Sequence, residues 1–204
     1  MNVAKPRRPL QRGGKRLDAH RQTMQLTKAQ CAKLIEAAFR ANDEGQPFNR
    51  FITLLWERAG IDGRKAVEAT GRFIKLVSEW AKRHGYRLVW AWVQEWGPVN
   101  KAHIHMLLHV PSHLDWQFRL MPRRWAKLCL GGRYVSKTVD SKRIKAGWFG
   151  LSYEGALLHR VHYMLKCAPA KLEQQLDMVG RGAETWGKSG LTYGKRLAVW
   201  QRQS

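Results

Sequence analysis

The chain has 204 residues, enough for one full-sized domain with short extensions and too few for two. Lys and Arg number 37 against 15 Asp and Glu, a formal charge of +22 that exceeds what solubility needs and points to a polyanion, most commonly nucleic acid, as partner. No run of about 18 apolar residues supports a membrane partner. Three widely spaced cysteines, Cys31, Cys129 and Cys167, lack any Cys-x-x-Cys pairing, which gives no zinc or disulfide framework and suits a reducing cytoplasm.

Residues 1–22 hold seven Lys/Arg and one Asp, and Pro6, Pro9, Gly13 and Gly14 break regular structure, so they read as a basic arm. Such an arm either lies along phosphates or is simply solvated. No apolar segment follows it, so a secretory signal is not expected. Thr27 caps a predicted helix through about Asn42, with an apolar stripe of Ala29, Leu34, Ile35, Ala38 and Phe39. Phe48 to Trp56 reads as a first core strand, residues 63–84 as a helix stopped by Gly85, and Leu88–Glu95 as a second strand. The turn Gly97-Pro98-Val99-Asn100 leads into Ala102–Pro111, so a hairpin is the expected pairing.

That third strand alternates strictly. His103, His105, Leu107 and His109 share one face; Ile104, Met106, Leu108 and Val110 share the other. Ser112 opens a helical region to about Leu130, interrupted near Pro122, and Tyr134–Val139 alternates as a fourth strand. Leu151–Ala168 reads as a helix whose apolar sector is Leu157, Leu158, Val161, Met164, Leu165 and Ala168, with His159, Tyr163 and Lys166 on the opposite side. The last 25 residues are Gly-rich and basic, with Trp186, Tyr193 and Trp200 interspersed; no element is assigned there. These aromatics either stack on single-stranded nucleic acid or belong to the core.

The order strand, helix, strand, strand, helix, strand is that of an α+β, ferredoxin-like (RRM-like) antiparallel sheet of four to five strands, with helices on one face and the His-x-His strand central. If those helices cover the Ile104/Met106 face, the histidine face is open. Three segments follow: a basic arm over 1–22, a domain over 23–178 and a basic Gly/aromatic segment over 179–204.

Two imidazoles two residues apart on a strand can turn toward one divalent ion. A hairpin that pairs Glu95 with His103 adds a carboxylate on the same face, giving an N,N,O set suited to Mg²⁺ or Mn²⁺; a solvated strand-end Glu95 is the other reading. Tyr163 is a candidate nucleophile, but a phenol of pKa near 10 needs an activated phosphate and a nearby cation. Lys166 lies one helical turn on. His109 is roughly 13 Å from His105 and 20 Å from His103 by strand rise, too far for the same metal, and either contacts DNA or packs. His159 and His162 flank the tyrosine and read as polar helix-face residues.

FITLL at 51–55, Glu95 with HIHMLLH at 103–109, and YMLK at 163–166 together resemble the three ordered motifs of the HUH endonuclease superfamily, specifically single-tyrosine rolling-circle replication initiators of plasmids and phages. The resemblance spans about residues 48–170. It implies a single-stranded DNA endonuclease in which His103, His105 and, as third ligand, Glu95 hold Mg²⁺ or Mn²⁺, Tyr163 forms a 5′-phosphotyrosine, and Lys166 assists. It implies single-stranded or hairpin DNA as substrate, a host helicase and polymerase as partners, a monomer or weak dimer, and a bacterial cytoplasmic setting. GKSG at 187–190 lacks Walker A spacing and reads as a loop. The alternatives are an HUH single-strand transposase and a non-catalytic RRM-like single-stranded nucleic-acid binder; the last predicts exposed aromatics on the central strands.

Overall fold

The computed structural model describes residues 21–147, 150–166, 168–176 and 190–200. Residues 1–20 of the basic arm, Cys167, Trp186 and most of GKSG lie outside the described residues. In chain order the elements are β1 (Gln22–Thr23), α1 (Lys28–Asp43), β2 (Arg50–Leu54), α2 (Ala66–Arg83), β3 (Trp90–Gly97), β4 (Lys101–Leu108), α3 (Asp115–Phe118), α4 (Met121–Cys129), β5 (Val139–Arg143), α5 (Tyr153–Leu165), β6 (Thr192–Tyr193) and β7 (Leu197–Val199).

Five strands form one antiparallel sheet in the order β5-β2-β4-β3-β7, with β4 at its centre; β1 and β6 make a separate two-stranded pair. This is the α+β, ferredoxin-like arrangement expected from the order of elements. The ends follow local chemistry. Thr27 and Gln30 form a reciprocal capping box at the start of α1, satisfying two backbone donors that the first turn leaves unpaired. Gly85, at φ 76°, takes the left-handed conformation that lets the chain leave α2. Pro122 sits in the first turn of α4, where a missing N–H costs nothing.

Even-numbered residues of the central strands, Ile52, Leu54, Trp92, Ile104, Met106 and Leu108, pack against α2 and α4. Phe73, Trp80, Phe118 and Trp125 interlock there, with ring centroids between Trp125 and the other three 5.6–5.8 Å apart. Such edge contacts add about 0.5–1.5 kcal/mol each beyond area burial, so this layer anchors the sheet. Phe51, Ala91, Val93 and Leu107 point the other way, onto α1 and α5.

The second layer corrects one expectation. The two internal helices do share the Ile104 face, but the flanking helices α1 and α5 cover the histidine face, so His103 and His105 are buried at 4 % and 3 % exposure. Three further differences have local causes. The fourth strand begins at Val139, because Ser136-Lys137 form a turn, with Lys137 at φ 63° and the Thr138 hydroxyl donating to the Val135 carbonyl. Helix α5 ends at Leu165, short of the expected Ala168; Val161, Met164 and Leu165 within it and Ala168 beyond it are buried as expected, but Leu158 is 46 % exposed. The C-terminal stretch supplies β6 and β7, and Trp200 is buried in the core, edge-on to Phe48. Cys31 and Cys129 are buried free thiols. Among the described residues no helix is long and apolar enough to cross a membrane.

Candidate functional site

The β3–β4 hairpin sets the register Glu95↔His103 and Val93↔His105. Alternation then turns Glu95, His103 and His105 to the same face, where their ligand atoms lie within 4.8 Å of one another. His103 Nε2 and His105 Nε2 stand 3.4 and 3.3 Å from Glu95 Oε2. Neighbouring ligands on a small divalent ion with bonds of about 2.1 Å lie about 3.0–3.4 Å apart, so the spacing suits one ion.

The proton bookkeeping points the same way. His103 Nδ1 is 2.7 Å from the Lys101 carbonyl, which can only accept; the neutral imidazole therefore carries its proton on Nδ1 and turns a lone pair at Nε2 toward the carboxylate. His105 Nδ1 is 3.0 Å from Thr53 Oγ1. Glu95 Oε1 and His105 Nε2 are buried without a hydrogen-bond partner. A buried carboxylate oxygen and imidazole nitrogen left without partners are costly, and a cation between them removes that cost. These three residues can thus hold a divalent metal ion.

Burial opposes the Glu95 charge, yet in acid the protonated imidazoles of His105 and His103, and then the Lys166 ammonium, hold its carboxyl well below the ordinary range. Burial, against the pull of Glu95, pushes the His105 imidazole down to about 4, so it is neutral and ligand-competent near pH 7.

Helix α5 brings the remaining candidates. Ser152 caps it by accepting from the Gly155 N–H, and the Tyr153 hydroxyl donates to the Phe48 carbonyl, which ties the helix to the start of β2. Lys166 Nζ lies 2.6 Å from Glu95 Oε2 and 4.0 Å from the centre of the Tyr163 ring. Against burial, Glu95 and Tyr163 raise the lysine above its ordinary value, so it stays charged. Tyr163 is half-buried, its ring centre 4.9 Å from that of His105 and 6.0 Å from that of Phe51. The side of α5 bearing His159, Tyr163 and Lys166 therefore faces the site. Phe51, Thr53, Asn100, His105, Lys142 and Tyr163 are among the residues that line an open cleft there of about 470 Å³.

Glu95, His103, His105, Tyr163 and Lys166 thus come together. His109 does not join them: it lies past the end of β4 with Nδ1 2.8 Å from the Pro47 carbonyl, a packing role. His159 lines the cleft and His162 is buried in α5 rather than on a polar face. Sequence reasoning gave no role to Thr53, which orients His105, or to Phe51, whose ring stacks on the His105 imidazole at 5.3 Å. A threonine amid the apolar FITLL strand was the available signal.

The family model described as Replication-associated protein ORF2 matches residues 49–167, from the start of β2 through Lys166. No curated protein and no solved structure gives a match. The match covers more than half of the chain and contains every member of the cluster, in keeping with the resemblance to HUH initiators; the chain belongs to the ORF2 family of replication-associated proteins.

Proposed function

We propose that this protein initiates rolling-circle replication by nicking and rejoining single-stranded DNA through Tyr163. The observation that carries the reading is the buried Glu95/His103/His105 cluster with orphaned acceptors, set beside a tyrosine and a charged lysine. A divalent ion, Mg²⁺ or Mn²⁺ by the resemblance, held by Glu95, His103 and His105 would polarise the scissile phosphate. The Tyr163 oxygen bonds to phosphorus as the bond to the 3′ oxygen breaks. The proton lost by the phenol is matched by the one the 3′ oxygen takes up, leaving a 5′-phosphotyrosine and a 3′-hydroxyl. Attack by a 3′-hydroxyl reverses the step and rejoins the strand. Lys166, anchored by Glu95, keeps a positive charge against the reacting tyrosine. Thr53 and Lys101 fix the two imidazoles, and Phe51 walls the His105 side.

A non-catalytic RRM-like binder would present aromatics on the central strands. Here Phe51 and Trp92 are buried under helices, which disfavours that reading. The deciding experiment incubates the protein with single-stranded and hairpin oligonucleotides from its native flanking DNA, with Mn²⁺ or EDTA. A covalent adduct on a denaturing gel that needs the ion and disappears in Tyr163→Phe is the expected result. An adduct that survives that substitution, or none across the panel, would sink the assignment.

A further inference from the structure

Strand β5 is an edge strand whose successive residues point to opposite faces of the sheet. Asp140 and Lys142 line the catalytic cleft. Ser141 and Arg143 line a separate cavity of about 390 Å³ on the far face, with Arg50, Asp115 and Arg119. A third cavity, of about 230 Å³, adjoins both: it shares Asp140 with the cleft, shares Ser141 and Arg119 with the far cavity, and adds Arg123. The three follow one another around the sheet edge, each sharing lining residues with the next.

The far end of this series carries excess positive charge. Arg50 and Arg143 both pair with the Asp115 carboxylate, which can balance only one of them, and Arg119 and Arg123 add two more cations. Arg50 is 5 % exposed, so a guanidinium is built into the wall of the cavity. Burial, and to a lesser degree the neighbouring Arg143, push it down to about 10. Next in sequence to Asp115, Trp116 of the short α3 segment is 73 % exposed, where the other tryptophans of the described helices, Trp80 and Trp125, are buried.

We propose that the β5 edge, from Lys142 to Arg119, Arg123 and Arg143, is a second DNA-binding track that grips the phosphodiester backbone of the single strand flanking the nick. Three guanidiniums suit phosphates spaced along a chain, and an exposed indole on the same short helix as Asp115 suits a base stacked without sequence preference. The strand would leave the cleft past Lys142, cross the edge of β5 and enter the arginine cavity, so only DNA longer than the cleft reaches it. This rests on the proposed action on single-stranded DNA, but it concerns binding alone.

The test measures binding of the full chain to oligothymidylates graded from about 4 to about 16 nucleotides, in EDTA, by fluorescence anisotropy. No cleavage is involved, so a failure of the nicking chemistry leaves the result interpretable. Wild type is expected to gain affinity as the oligonucleotide outgrows the cleft. Arg119→Ala with Arg123→Ala should remove roughly tenfold of that gain and lower the salt slope for the longest probe by about 1.4, two single-strand phosphate contacts at about 0.7 each, while binding the shortest probe as wild type does. Both side chains are exposed, and circular dichroism checks the fold. Lys28→Ala with Lys33→Ala removes the same charge from the exposed side of α1 and should keep the length dependence. Equal losses in the two double variants, an undiminished gain without the arginines, or no gain in wild type would each overturn the proposal.

Discussion

Breaking the Glu95–Lys166 pair from one side should unfold the protein far more easily than removing both charges. The side chains are 1 % and 9 % exposed and 2.6 Å apart. At an effective dielectric of about 20, that separation gives an attraction of about 6 kcal/mol, much of it offset by the desolvation of both ions. Taking away one partner forfeits the attraction and leaves the desolvation cost, typically about 3–5 kcal/mol. Glu95→Gln keeps the shape and some hydrogen bonding, so a loss of about 3 kcal/mol is expected; for a chain of this size that lowers Tm by about 6–12 °C. Lys166→Met should cost a similar amount. The double substitution removes the orphaned charge and should recover at least about 2 kcal/mol of the summed loss. Urea denaturation of the four proteins in EDTA at pH 7 closes the cycle. Single variants within about 0.5 kcal/mol of wild type, or strictly additive losses, would refute the view that a buried ion pair holds α5 to the hairpin.

The cluster can hold a divalent ion only when the chain is folded, so Mn²⁺ at about 100 times its dissociation constant should stabilise wild type by about 2.7 kcal/mol in a thermal-shift titration, and His103→Ala or His105→Ala should abolish the effect. Thr53→Val removes the hydroxyl beside His105 Nδ1 at nearly constant volume, and metal affinity should fall about 10–100-fold in the same titration. Without metal, stability should drop as pH falls from about 6.5 to about 4: the unfolded chain protonates its imidazole near 6.5, whereas folded His105 does so only near 4, so acid favours unfolding by up to about 3 kcal/mol. The depressed carboxyl of Glu95 extends the loss below about 4.3. Equilibrium unfolding across that pH range should give a flatter curve for His105→Asn; an unchanged slope would place the proton uptake elsewhere.

What the sequence revealed was whatever local chemistry decides. Thr27 with Gln30 marks the start of α1, Gly85 the end of α2, and period-two alternation fixed which β4 residues share a face. The cluster was legible because a short hairpin leaves little freedom of register: with turn residues at Gly97–Asn100, Glu95 falls opposite His103. Non-local contacts were not legible. β7 is three residues long and owes its existence to pairing with β3, about a hundred positions earlier, so no periodicity announces it. The layer over the histidine face is built by α1 and α5, which the four-strand pattern treats as flanking extensions. Helical periodicity also left Leu158 in the apolar sector, because an angle around the axis does not say where the neighbouring elements end.

The position of Glu95 explains why the two halves of the proposed chemistry sit together. Its carboxylate is the shared neighbour of His103 and His105 on the hairpin and of Lys166 on α5. The lysine that reaches it also lies over the Tyr163 ring, so the contact that orders the carboxylate fixes the helix turn carrying the tyrosine. With neutral imidazoles the cluster holds one negative and one positive charge, and so does not itself attract a phosphate. Adding a divalent ion would leave it at about +2, the sign and place that a singly charged phosphodiester entering between His105 and Tyr163 would half neutralise. On the proposed chemistry, cation and strand would then favour each other's binding, and the reciprocity of that coupling would require no conformational change in the sheet.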